Sequence, residues 1–195
     1  MARKDTEQKI EDAAISLFSE KGYKGTSTRR IAKEAGVSEL TIYRCYNTKE
    51  ELFRQALIKR APGEWLKDMG PAPNGVLEEQ LILLFERLYE TLMDRQDLIR
   101  IFYREGAEYP DIVAVAKQVP SKIWGPIADY IQRAKPGLSA QAAVELAIQT
   151  FGTYLGMILL STSFGPSFLP TSMKAFHASM ARTYTYAIRD AECTS

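Results

Sequence analysis

Apolar residues recur along almost the whole chain at helical spacing, and no run alternates as a half-buried strand would. Ile10, Ala13, Ala14, Leu17 and Phe18 fall at i, i+3, i+4, i+7 and i+8, a single buried stripe. Asp5 is placed to cap that first helix, with Gln8 in the capping-box position, and Gly22 to end it in a left-handed turn. Ser27 and Gly36 bracket a second, short helix, and Ser38 opens a third. Thr48 and Glu51 form a capping box for a fourth, whose inward face is Leu52, Phe53, Ala56 and Leu57. "APGEW" and "GPAPNG" then read as loops. Further helices are predicted near Val76–Met93 and Asp97–Glu108, and from Asp111, the last divided by Pro120 and Pro126. Two long helices close the chain, near Ser139–Ser161 and Thr171–Arg189, with "SFGPSFLP" between them.

The expectation is an all-α protein of about nine helices. A three-helix helix-turn-helix domain over residues 1–50 precedes a helical bundle over residues 51–195. The short second and third helices make sense only as a pair, since isolated helices of that length are marginal in water. Ile31, Ala32, Ala35, Val37, Ile42 and Tyr46 give the pair an inner face to lay on the first helix. The outer face carries Thr28, Arg29, Glu39, Leu40, Thr41 and Arg44, with Tyr43, Lys33 and Lys49 close by. A short helix with an exposed N-terminus fits the major groove of DNA. Hydroxyls, cations and free N–H groups at helix starts such as Ser27 and Ser38 hold phosphates.

Charge adds a modest signal. Lys and Arg number 25 against 24 Asp and Glu, but residues 1–60 hold 13 basic and 9 acidic side chains and the remainder 12 and 15. A basic N-terminal part suits an anionic partner. The two cysteines, Cys45 and Cys193, form neither a metal-ligand spacing nor a disulfide framework. The opening "MARKDTEQKIEDAA" has no apolar signal core. The most apolar stretch, Leu146–Leu160, is broken by Gln149, Thr150 and Thr153 and is shorter than the ~20 residues of a membrane span. A cytoplasmic protein is expected, with no membrane partner.

"GYKGTSTRRIAKEAGVSELTIYRCYNTKEELFRQAL" resembles the DNA-binding signature of the TetR family of bacterial transcriptional regulators. Gly25, Ser27-Thr28, Ile31-Ala32, Ala35-Gly36-Val37-Ser38, Thr41-Ile42-Tyr43, Tyr46 and Lys49-Glu50-Glu51-Leu52 carry the match over about Ile10–Leu57. "IFYREGAEYPDI" is similar to the C-terminal domain of AefR-like members. The resemblance implies that Thr28, Tyr43 and Lys49 hold backbone phosphates while Arg29, Glu39, Leu40 and Thr41 face bases. Glu39-Leu40 departs from the basic or amide residue followed by Gly or Pro that many members have there, and Cys45 replaces a usual aromatic. The implied function is a ligand-responsive repressor, released from a palindromic operator by a small apolar or aromatic effector.

Pocket candidates are Phe85, Tyr89, Phe102, Tyr103, Trp124, Ile127, Phe151 and Tyr154, with Glu105 and Thr150 as polar groups. For most of these the plain alternative is core. Interface candidates are Gly152, Gly156, Met173, Phe176, Met180 and Tyr184, where family members pair two helices per subunit about a two-fold axis. The rival class is an all-α small-molecule carrier or enzyme. His177 is the only histidine, no nucleophile motif or phosphate loop occurs, and Glu105 with Glu108 lacks further metal ligands. No catalytic residue, cofactor or metal is expected.

Overall fold

A computed structural model describes residues 2–60, 75–106, 108–109, 117, 120–169 and 171–193. Nine α-helices lie within them: α1 Ala2–Lys21, α2 Thr28–Ala35, α3 Glu39–Tyr46, α4 Lys49–Arg60, α5 Leu77–Met93, α6 Gln96–Glu105, α7 Gly125–Ala134, α8 Ala140–Phe164 and α9 Met173–Cys193. A π-helical turn, Pro120–Trp124, runs into α7, where Pro126 sits in the first turn, and a 3-10 turn, Pro166–Phe168, follows α8. No strand occurs among the described residues. The expected loops "APGEW" and "GPAPNG", apart from Gly75, and most of the helix expected from Asp111 lie outside them.

Local signals set most ends. Ser27 and Ser38 cap α2 and α3, each accepting from the backbone N–H three residues on, and Gly36 ends α2 in the left-handed region. Ser139 caps α8 in the same way. Asp5 departs from expectation. α1 already starts at Ala2, so Asp5 lies inside the first turn, where its charge still faces the positive helix end. The box at α4 is half made: Glu51 N–H donates to Thr48 Oγ1, but the Glu51 carboxylate turns to Arg54 and Gln55.

The chain folds as two compact units, Met1–Gly63 with Arg95–Gln118, and Glu64–Asp94 with Val119–Ser195. The expected division at residue 50 left α4 and α6 with the C-terminal part; both belong to the first unit. In that unit α1 packs against α2, α4 and α6. Ile10, Ala14 and Phe18 are buried with Ile31, Ile42, Leu52 and Ala56. Tyr46 at the end of α3 donates its hydroxyl to the buried Glu11 carboxylate at 2.8 Å, and Lys59 pairs with the same oxygen. Burial and that carboxylate both push the Tyr46 phenol well above its ordinary range, so it remains a donor.

In the second unit α5 packs against α7, α8 and α9, and α7 against α8. Leu81, Leu84, Phe85 and Leu88 meet an interior supplied by Ile127, Tyr130, Ala147, Tyr154, Ile158, Ala181 and Tyr184. Tyr130 donates to the Gln80 carbonyl at 3.2 Å. His177 is 3% exposed, its ring 5.5 Å from that of Tyr154 and 5.9 Å from that of Tyr89. Neither of its nitrogens has a hydrogen-bond partner among the described residues.

Burial lowers the His177 pKa below 6.5, against the weaker pull of Glu86 and Glu90. A depressed folded value means that, as pH falls through about 6.5, the unfolded chain takes up a proton that the folded chain refuses. Stability is then lost down to the folded pKa. His177→Phe is expected to be less acid-sensitive than the parent between pH 7.5 and pH 5 in paired thermal melts. Equal pH dependence would remove this account.

Candidate nucleic-acid interface

α2 and α3 meet around the corner Gly36–Ser38, and the inner faces of both helices are buried. What they leave outward is a row from the two helices. Arg29 and Arg44 are exposed, Leu40 is 59% and Tyr43 45% exposed, and Thr41 is half-buried with its hydroxyl 2.8 Å from Ser38 Oγ. Leu40 and Tyr43, three residues apart on α3, place apolar and aromatic surface beside the two cations. Beside two arginines and capped helix starts, the surface has the makings of a DNA-reading face.

Three expected contacts differ. Thr28 is buried; its hydroxyl donates to Glu39 Oε1 at 2.6 Å and lies 3.2 Å from the Tyr43 hydroxyl. Glu39 is half-buried and directed at Thr28. Lys49 does not present its ammonium outward. Nζ donates to the carbonyls of Tyr23 at 2.8 Å and Thr26 at 2.9 Å, and sits 4.0 Å above the centre of the Tyr23 ring. Burial lowers the Lys49 pKa, with Glu105 acting the other way. Ser27 and Ser38 spend their hydroxyls as caps, which leaves the helix-start N–H groups ordered.

Lys49 closes a set of contacts that the sequence hid. Glu105 is buried and accepts from Tyr23 N–H at 3.0 Å, instead of facing the C-terminal interior. Arg104 donates to the carbonyl of Ser19 at 2.8 Å, and Lys24 pairs with Glu108 at 2.9 Å. The rings of Tyr23, Phe53 and Tyr109 meet at 4.9–5.6 Å. The turn from Gly22 to Thr26, which feeds straight into α2, is thus held from both α4 and α6.

The expected pocket set separates. Phe102 is half-buried and Tyr103 76% exposed, both on α6 in the first unit, so Tyr103 lines no interior. Phe85, Tyr154 and Ile127 are fully buried in the second unit, and Tyr89, Trp124 and Phe151 half-buried there. Tyr154 gathers Phe85 and Tyr89, each ring at 6.1 Å. Tyr184, expected at an interface, is core instead: it is buried edge-on against Phe85 at 5.5 Å, with its hydroxyl 3.3 Å from Thr150 Oγ1. Met173, Phe176 and Met180 are half-buried. Gly152 is exposed and Gly156 half-buried, and a Cβ built on either meets nothing within 4 Å. Sequence reasoning missed their neighbours on α8. Val144, Ile148, Leu160 and Phe164 are exposed and continue the two glycines at four-residue spacing, a signal present in the sequence. By length and composition α8 is the one described helix apolar enough to cross a membrane, and it packs against α5 and α7. Among the described residues no group of three His, Cys, Asp or Glu side chains is placed to hold a metal ion.

A family model described as bacterial regulatory proteins, tetR family, matches residues 10–56. That match stops well before the AefR-like resemblance near residues 101–112. YvkB of Bacillus subtilis, an uncharacterized HTH-type transcriptional regulator, is 33% identical over 129 residues, 65% of this chain and 66% of YvkB. IcaR of Staphylococcus epidermidis, a negative transcriptional regulator of a biofilm operon, is 45% identical over 49 residues, 25% of this chain and 26% of IcaR. The matched segments span less than two thirds of these relatives' own length. Among solved structures, a regulator from Mesorhizobium loti assigned to the TetR family is 25% identical with a TM-score of 0.71, covering 96% of this chain and 95% of that one. A protein from Saccharomonospora viridis, described as a transcriptional regulator in complex with choline, shares the fold at 20% identity and a TM-score of 0.70, covering 93% and 95%.

Lys49→Met keeps the aliphatic stem and leaves two inward-facing carbonyls without their charged donor. It is expected to lower unfolding free energy by about 2–3 kcal/mol, read as a shifted denaturation midpoint. A midpoint equal to the parent's would mean that the lysine is free for another partner.

Proposed function

Because the chain belongs to the TetR family of bacterial regulatory proteins, we propose that it is a cytoplasmic, homodimeric repressor that two copies of the α2–α3 face hold on a palindromic operator. The family is one of transcriptional regulators and not of enzymes. The observation that carries the proposal is the row of Arg29, Leu40, Tyr43 and Arg44, exposed over an inner face that is buried on α1. Repression as the sign is favoured by IcaR, whose name gives it that role.

One head reading a few base pairs discriminates weakly, so two heads one helical turn apart, roughly 34–36 Å, are needed. The α8 stripe suits that pairing. Two glycines with open space above them let another helix approach closely, and exposed Val144 and Ile148 supply apolar area beside them. A second copy is the occupant this arrangement favours.

The second unit is the effector-responsive part in this reading. Tyr154 OH, both nitrogens of His177 and Thr185 Oγ1 are buried with no partner among the described residues. Each such group costs free energy unless a hydrogen bond offsets it. An effector with an aromatic or aliphatic body and one hydrogen-bonding group suits that interior, and the choline bound by the S. viridis protein is a small ligand of mixed character in the same fold. The effector acts only by preferring one conformation of the dimer over the other.

Titration of duplexes selected from a random pool tests the DNA role. Arg29→Ala and Arg44→Ala are each expected to weaken binding to the selected site by about 1–3 kcal/mol. Full affinity in both would remove the interface. Ile148→Lys is expected to convert a dimer to a monomer in sedimentation and to weaken operator binding with it. A parent that sediments as a monomer at micromolar concentration, or a variant that stays dimeric, would sink the α8 pairing.

A further inference from the structure

Glu39 is the one acidic side chain among the residues expected to face bases, and it stands at the first turn of α3. Its Oε1 takes the Thr28 hydroxyl proton at 2.6 Å, and the Thr28 oxygen is in turn 3.2 Å from the hydroxyl of Tyr43. The carboxylate therefore holds the Thr28 hydroxyl directly, with the Tyr43 hydroxyl next in line. No ion pair engages Glu39 among the described residues. The N-terminus of α3 favours a negative group there, and a DNA phosphate brings the same charge to the same place. Carboxylate and phosphate compete for one set of donors.

The competition has a sequence-dependent way out. In the major groove a carboxylate accepts from the N4 amino group of cytosine, its usual base partner there. We propose that Glu39 is a specificity gate: it withholds Thr28 and Tyr43 from the DNA backbone until a cytosine amino group in the operator takes the carboxylate. On any other sequence Glu39 stays bonded to Thr28, repels the phosphates and keeps the two hydroxyls from the backbone. The cost of its charge is thus placed selectively on wrong DNA. The inference rests on the DNA-binding role proposed above.

The plain alternative is a staple. Glu39 would then serve only to join α3 to α2 through Thr28. Glu39→Gln separates the two, because its side-chain carbonyl still accepts from Thr28 while the charge is gone. Duplexes are selected from a random pool with the parent, and the parent, Glu39→Gln and Glu39→Ala are titrated against the selected site and a scrambled duplex. For a gate, Glu39→Gln binds the scrambled duplex about tenfold more tightly than the parent does. A repeat selection with that variant loses preference for one C·G pair in each half-site. For a staple, Glu39→Gln matches the parent on both duplexes and in selection, while Glu39→Ala loses affinity on both alike; this result overturns the gate and leaves the regulator intact. A parent that selects no sequence at all overturns the regulator and the gate together.

Discussion

The reading face depends on the five-residue turn between α1 and α2. Gly22 stands at φ 73°, where a side chain is strained, and a Cβ there would also come within 2.9 Å of Glu105 Oε1. Its N–H closes α1 on the Phe18 carbonyl at 2.9 Å. Thr26 turns its buried hydroxyl to the carbonyls of Leu17 and Gly22, and Lys49 takes the carbonyls of Tyr23 and Thr26. Glu105 takes the Tyr23 N–H. A turn folded inward must satisfy its backbone somewhere, and here three side chains from three different segments do so. Ser27 follows directly, so the same contacts fix the direction in which α2 leaves.

Above that base the reading face itself is lightly charged. Residues 1–60 carry only four more positive than negative side chains, and Lys49 spends its charge inward. Phosphate attraction from one head is correspondingly modest, since affinity grows with the number of phosphates neutralised. Tyr46, bonded to Glu11, ties α3 to α1, and Ile42 is buried on the same helix.

What was legible in the sequence was local. Ser27, Gly36, Ser38 and Gly22 sit where a helix must begin or end, and their side chains or backbone freedom act within four residues. Asp5 misled because an acidic residue is favoured both as a cap and anywhere in a first turn. The errors at the site are long-range. Nothing near Lys49 in sequence tells its ammonium to seek carbonyls 23 and 26 residues away, and Glu105 reaches Tyr23 across 82 residues. Tyr184 was misplaced because one helical stripe serves equally as a core face or as an interface. Which side chains of α5 share a neighbourhood with His177 depends on packing that periodicity does not encode.

The order of the two units along the chain gives the turn a second significance. The chain leaves the first unit after Gly63, builds α5 in the second, and returns at Arg95 to begin α6, whose other end carries Arg104 and Glu105. α5 is therefore spliced covalently between the two helices, α4 and α6, that grip the Tyr23 turn. Lys49 stands at the start of α4 and Glu105 at the end of α6, so the ends remote from α5 are the ones that hold the turn.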